Sequence, residues 1–70
     1  MFEVLKEYWK EDMIDRANVE RITGGVITET MLRKFDTNKT GITNKALFAR
    51  KVYYQLNDVI KWLDKNTKQV

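Results

Sequence analysis

The sequence predicts a small α+β domain that is mainly helical. Apolar residues recur at helical spacing in four separate stretches, and residues that favour β-strands concentrate between positions 42 and 54. Three glycines, Gly24, Gly25 and Gly41, punctuate a chain that has no proline. With 70 residues, 43% of them hydrophobic, the chain suffices for one domain with a thin core, because a domain of this size buries only about 60% of its unfolded surface.

The first predicted helix covers residues 2–10, and its apolar face is aromatic for its length. An isolated helix of about nine residues is not stable in water, so this one must pack on another surface. That surface is either the domain's own core, which is the more economical use, or a groove on a partner protein. In the second use the partner-binding side chains are Phe2, Leu5, Tyr8 and Trp9.

Two further helices are predicted on either side of the glycine pair. Asp15 is a candidate N-cap for a helix over residues 15–23, which the glycine pair would end. Thr28 is a candidate N-cap for the next helix, which ends near Asp36. Two capped helices joined by a glycine turn within about twenty residues are typical of a helix-turn-helix, whose second helix enters the major groove of DNA. An ordinary helical hairpin without a binding role would show the same layout.

Residues 42–54 predict a β-hairpin that begins with the strand-favouring pair Ile42-Thr43. Leu47-Phe48 can pair with residues 52–54 across a short turn that carries basic residues. Because successive residues of a strand face opposite sides of a sheet, one of Tyr53 and Tyr54 should lie in the core and the other should be half exposed.

The last predicted helix has Asn57 as its N-cap and covers the hairpin, since a lone hairpin is only marginally stable. Together with the helix-turn-helix, this arrangement predicts a winged helix-turn-helix with a short β-hairpin wing and an extra N-terminal helix. In this organisation residues 1–12 are the N-terminal extension, residues 13–64 are the main unit, and residues 65–70 are a frayed polar tail.

Charge is distributed unevenly along the chain. Residues 1–32 carry seven acidic and four basic side chains, whereas residues 33–70 carry nine basic and three acidic ones. A basic half attracts phosphate, so we expect nucleic acid as the partner, with duplex DNA favoured over single strands. The alternative is a set of charges that only keep the surface and the strand edge soluble. The predicted nucleic-acid-binding residues are Thr28, Thr30, Arg33, Lys34, Lys45, Arg50 and Lys51.

The composition argues against several other classes of protein. Without cysteine or histidine the chain forms no disulfide and assembles none of the usual zinc sites, so we expect no metal and no cofactor. No constellation of catalytic residues is visible, which predicts a protein that is not an enzyme and has no small-molecule substrate. No stretch reaches the roughly 18 apolar residues of a membrane span, and no secretory signal is evident. We therefore expect a cytoplasmic protein without a membrane partner.

Two segments carry a resemblance to a known family. Residues 16–33, RANVERITGGVITETMLR, resemble the helix-turn-helix of small excisionase-like, MerR-related winged-helix proteins of mobile genetic elements. Residues 50–63, RKVYYQLNDVIKWL, resemble the wing strand and closing helix of that family. The resemblance implies a small DNA-binding protein that acts as a regulator or marks DNA for a recombinase. The chain departs from the family in having Glu29 at the start of its second helix and an aromatic N-terminal extension.

The chain also resembles the small companion proteins of polymerase-family primases in staphylococcal chromosome cassettes. This resemblance implies an alternative function, that of an accessory subunit. Such a subunit would bind a mobile-element replication protein, a primase or polymerase, through its N-terminal aromatic helix and assist its contact with DNA. A third alternative is an antitoxin-like or inhibitor-like module that does not bind nucleic acid.

Overall fold

The computed structural model describes residues 2–67, which form an α+β domain that is about half helical. This confirms the predicted fold class at the level of α+β. Along the chain the elements are a 3₁₀ turn Phe2–Val4, α1 Leu5–Tyr8, β1 Met13–Asp15, α2 Arg16–Ile22, α3 Glu29–Thr37, β2 Ala46–Phe48, β3 Lys51–Gln55 and α4 Leu56–Asn66.

The three strands form one antiparallel sheet in the order β1-β3-β2. In its register Ile14 of β1 lies opposite Tyr54 of β3. Sequence patterns did not predict β1, because its three residues run directly into α2 without a turn signal. The strand preference of Ile42-Thr43 is misleading, since Ile42 is buried within a loop.

The predicted hairpin is confirmed, with Leu47 paired to Val52 across a two-residue turn. The turn residues Ala49 and Arg50 both have positive φ, at 51° and 67°. This is the backbone that a two-residue hairpin turn requires, and it is normally supplied by Asn or Gly. Lys51 belongs to β3 and pairs with Phe48.

The helix ends follow the local signals in part. The Thr28 hydroxyl accepts a hydrogen bond from the N–H of Met31 at 3.1 Å, so the predicted cap of α3 is confirmed. Gly24 and Gly25 end α2 with positive φ, as predicted. Asp15 occupies the N-cap position of α2, but its carboxylate accepts from the Asn18 side chain and makes no cap bond. The prediction of Asn57 as the cap of α4 is wrong, because the helix already begins at Leu56.

The core lies between the sheet and the helices, with Tyr54 fully buried within it. The N-terminal segment contributes Leu5 to this core and packs Phe2 and Trp9 against it. The predicted helix over residues 2–10 is therefore shorter than expected and is used to complete the core. At the other end α4 reaches Asn66, so the start of the predicted frayed tail is helical; residues 68–70 lie outside the described residues.

Within residues 2–67, no helix is long and apolar enough to cross a membrane.

Candidate nucleic-acid interface

A partly buried polar network connects α2, α3 and β3. Asp36 Oδ2 accepts hydrogen bonds from Arg16 Nη2 and from the Tyr54 hydroxyl, both at 2.6 Å. Arg16 Nε also donates to the Tyr54 hydroxyl at 3.0 Å. Gly41 lies so close that a Cβ there would be 2.5 Å from Asp36 Oδ1, which explains glycine at this position. The network satisfies its charges internally and leaves little for a ligand.

The protonation states of this network follow from its contacts. Burial works to raise the pKa of Asp36, but hydrogen bonds from Tyr54 and Arg16, together with the charges of Lys45 and Arg16, outweigh it and hold that pKa below its usual value of 3.8. Burial, together with the hydrogen bond to Asp36, raises the pKa of Tyr54 to about 12. Around neutral pH the carboxylate is thus an acceptor and the phenol a donor.

A cleft of about 240 Å³ lies between the start of α2, one side of α3 and the base of the hairpin turn. Three of the predicted nucleic-acid-binding residues, Arg33, Arg50 and Lys51, line this cleft. Arg33 comes from α3, whereas Arg50 and Lys51 come from the hairpin, so folding brings together cations that are far apart in the sequence. The cleft also includes the carboxylates of Asp15 and Glu29.

Arg16 also lines this cleft but is paired with Asp36, whereas Arg33, Arg50 and Lys51 are accessible to an incoming anion. Arg33 Nη2 lies 3.7 Å from Glu29 Oε1 in a pair whose two side chains are both largely exposed. A solvent-exposed pair of this kind contributes only about 0 to 1 kcal/mol, so a phosphate can replace Glu29 as the partner. Arg50 and Lys51 are exposed on the hairpin.

The start of α3 is less suited to an anion. Its Thr28 hydroxyl is engaged in the cap, and the N–H of Glu29 donates to Glu20 Oε1 at 2.8 Å. A carboxylate therefore occupies the positive end of the helix, which is where a phosphate would otherwise bind. Among the predicted nucleic-acid contacts on α3, a phosphate is therefore expected at Arg33 and not at the N-terminal end of the helix.

The remaining predicted nucleic-acid-binding residues are dispersed. Thr30 and Lys34 are exposed on α3, and Lys34 lines a shallow groove with Arg33, Thr37 and Asn38 instead of the cleft. Lys45 Nζ lies 3.4 Å from Asp36 Oδ1, so its charge is partly neutralised by the Arg16–Asp36–Tyr54 network. The structure therefore groups three of the seven predicted residues in the cleft and leaves four outside it.

The hairpin also exposes two large apolar side chains that the sequence interpretation did not assign to a site. Leu47 and Phe48 are each 73% exposed. In the sequence both residues show only a preference for β-strands, which core residues also show. Their exposure follows from the position of β2 at the edge of the sheet. The expectation for the two tyrosines is confirmed: Tyr54 is in the core and Tyr53 is half-buried.

The predicted partner-binding side chains differ in burial, and only Tyr8 is largely exposed. Leu5 is buried, and Phe2 and Trp9 pack against the core. The Phe2 N–H donates to Asp64 Oδ1 at 3.1 Å, and Trp9 Nε1 donates to the Met13 carbonyl at 2.9 Å. Tyr8 remains on the surface with 68% of its area exposed.

Comparison with protein-family models, with curated proteins and with solved structures found no match for this chain. Among the described residues 2–67, no group of three or more acidic side chains is placed to hold a metal ion.

Proposed function

We propose that this chain is a small nucleic-acid-binding protein of the winged helix-turn-helix type, and that its β-hairpin makes the main contact. The observation that supports this most directly is the convergence of Arg33, Arg50 and Lys51 on one cleft. The order of the elements supports the fold type, because α2, a glycine turn and α3 are followed by a hairpin as the next element. The resemblance of residues 16–33 and 50–63 to excisionase-like proteins supports a regulatory or excision role in a mobile genetic element.

The hairpin rather than the start of α3 is the proposed principal contact. The Glu20 carboxylate accepts a hydrogen bond from the N–H of Glu29 and so occupies the N-terminal end of α3, where an approaching phosphate would be repelled. The hairpin has no such acidic neighbours in sequence, since residues 37–57 contain no Asp or Glu. Phosphate contacts from Arg50 and Lys51 would position the protein, while Arg33 would approach from the side of the cleft.

A salt-dependent binding assay tests the proposal. Fluorescence anisotropy with labelled oligonucleotides should show binding that weakens steeply with salt. The double variant Arg50→Ala/Lys51→Ala should lose roughly tenfold in affinity at low salt, and the slope of log K against log salt should fall by about 1.5 to 2.

The matched control is Lys6→Ala/Lys10→Ala, which removes the same charge from exposed positions on the N-terminal segment. Its affinity should stay within about twofold of the parent protein, because those lysines lie outside the cleft. The proposal is wrong if the parent protein binds no nucleic acid at low salt, or if both double variants weaken binding equally.

The second candidate function is an accessory subunit of a replication protein, and one observation favours it. Val4 and Tyr8 are 47% and 68% exposed and lie four residues apart, on the outer side of the N-terminal segment. They give the N-terminal segment a small exposed apolar surface, next in sequence to the acidic Glu3 and Glu7. The partner would be a primase, polymerase or recombinase encoded next to this chain.

Co-purification with the product of a neighbouring gene tests this second candidate. Val4→Ala/Tyr8→Ala should weaken the complex at least tenfold, whereas Val26→Ala, at a site that is 62% exposed elsewhere, should not. A complex that survives the double variant would rule out docking through this surface. A recombinase as the neighbour would favour the excision role, and a polymerase would favour the accessory subunit.

A further inference from the structure

We propose that the outer face of the hairpin is a stacking platform for unpaired bases, formed by Phe48 and Tyr53 with Lys51 adjacent to both. The platform narrows the ligand of the proposed function to single-stranded nucleic acid or to a strand with exposed bases. It rests on the proposed nucleic-acid binding and departs from the expectation that duplex is favoured.

The strand register places these three side chains on one face. Phe48 lies directly opposite Lys51, and Ala46 lies directly opposite Tyr53. Residues directly opposite in an antiparallel pair project to the same side, and so do residues two apart along one strand. The other side of β3 carries Tyr54, which is fully buried, so the face with Phe48 and Tyr53 is the one turned away from the core.

The exposure of Phe48 requires an explanation. A domain with a thin core would gain about 1.5 to 3 kcal/mol by fully burying a phenylalanine, yet this ring remains 73% exposed on an edge strand. Native edge strands are usually protected by charges or by a covering element, because an exposed apolar edge invites aggregation. An aromatic ring left open at this position is therefore best explained by a ligand with a flat apolar surface.

The positive charge around the hairpin indicates that this ligand is an anion. Four cations and no carboxylates occur in residues 37–57, namely Lys39, Lys45, Arg50 and Lys51. A second copy of the chain seated on this face would bring like charges together at short range. On the same face, Asp15 of β1 lies directly opposite Tyr53, and its carboxylate accepts a hydrogen bond from the Asn18 side chain.

A polyanion with flat apolar groups meets both requirements, because bases can stack on the rings while phosphates approach the cations. In a closed duplex the faces of the bases are already stacked on one another. Only unpaired bases present a free face to Phe48 and Tyr53. The geometry thus favours a single strand over a duplex of the same sequence.

Three oligomers of equal length distinguish stacking from charge: a labelled oligothymidylate, a duplex, and an abasic deoxyribose-phosphate chain. We expect the oligothymidylate to bind at least tenfold more tightly than the abasic chain, which carries the same charges without bases. It should also bind more tightly than the duplex. Equal affinity for the base-bearing and abasic chains would overturn the stacking platform.

Substitutions on β2 provide the matched comparison. Phe48→Leu keeps an apolar side chain but removes the ring, and it should lose about tenfold in affinity for the single strand, whereas Phe48→Tyr should retain it. Leu47→Ala is the control, since Leu47 is on the same strand with the same 73% exposure but faces the other side. Its affinity should stay within about twofold. Circular dichroism should show all three variants folded like the parent.

The outcomes separate this inference from the proposed function. If Phe48→Leu binds like the parent while Arg50→Ala/Lys51→Ala weakens binding, the chain binds nucleic acid by charge and the platform is wrong. If no nucleic acid binds at low salt, both proposals fail. If sedimentation equilibrium shows a dimer that Phe48→Ser converts to a monomer, a second copy covers this face and the platform is overturned.

Discussion

Arg16 and Arg50 both line the cleft beside the hairpin, but their charges have opposite roles. Arg16 has 17% of its side chain exposed and donates hydrogen bonds to both Asp36 and Tyr54. Arg50 lies at a hairpin turn with φ of 67°, is exposed, and follows an exposed apolar strand. An arginine whose charge is paired within the protein stabilises the fold, whereas an arginine exposed in a strained turn can bind a ligand.

The largest effect is expected from breaking the network around Arg16. Asp36→Ala would leave the Arg16 guanidinium partly buried without its carboxylate, which should cost about 3 kcal/mol of unfolding free energy. Urea denaturation measures this change. The control is Glu29→Ala, which breaks the exposed pair with Arg33 and should change stability by less than about 1 kcal/mol. Equal losses in the two variants would contradict the structural role of the network.

The second effect is a loss of stability in acid. Burial opposes ionisation of Asp36, but its hydrogen bonds and neighbouring cations hold its pKa below the unfolded value of 3.8. The stabilisation is therefore present above about pH 4 and is lost as the pH falls through the lower folded-state pKa. Thermal melts between pH 6 and pH 2 should show this decline. Asp36→Asn should flatten it, and an unchanged profile in that variant would assign the acid sensitivity to other carboxylates.

A smaller effect of opposite sign is expected at the hairpin turn. Ala49→Asn/Arg50→Gly supplies residues suited to the positive φ of both positions, and it should raise stability by about 1 kcal/mol. The same variant removes the Arg50 charge and should weaken nucleic-acid binding. A gain in stability with a loss of affinity would show that the turn is kept strained for function. Unchanged stability would mean that the backbone strain is relieved elsewhere.

The smallest effect on stability is expected on β2. Phe48→Ser should change the unfolding free energy by no more than about 0.5 kcal/mol, because the ring already lies largely in water. Differential scanning calorimetry compares it with Leu32→Ser, at a fully buried site of α3, which should be severely destabilised. A large loss in Phe48→Ser would mean that the ring belongs to the fold.

Much of the local structure was predictable because its signals are local. The Thr28 cap, the glycine pair after α2 and the pairing of Leu47 with Val52 each depend on residues close together in sequence. The different burial of Tyr53 and Tyr54 also follows from the alternation of side chains along a strand. By contrast, β1 is three residues long and acquires its identity by pairing with β3, about forty residues later.

The candidate site was predictable in its residues but not in its geometry. Arg33, Arg50 and Lys51 were identified from charge, and the sequence also indicated Lys45 as an equal member. Only the tertiary structure decided that Lys45 faces Asp36 while the other three line one cleft. Phe48 was predicted to be a strand residue, but its exposure depends on which strand lies at the edge.

The sequence by itself determined the two helices on either side of the glycine pair, the hairpin, the uneven charge and the absence of disulfides, because these depend on composition and on neighbours within a few positions. The tertiary structure decided which charged side chains are paired within the protein and which remain accessible to a ligand. Arg16 meets Asp36 across twenty residues and Tyr54 across 38, and no local pattern encodes such a meeting. A charged side chain that is already hydrogen-bonded within the protein is less able to bind a ligand. The fold therefore gives Arg16 a structural role and leaves Arg50 exposed on the hairpin.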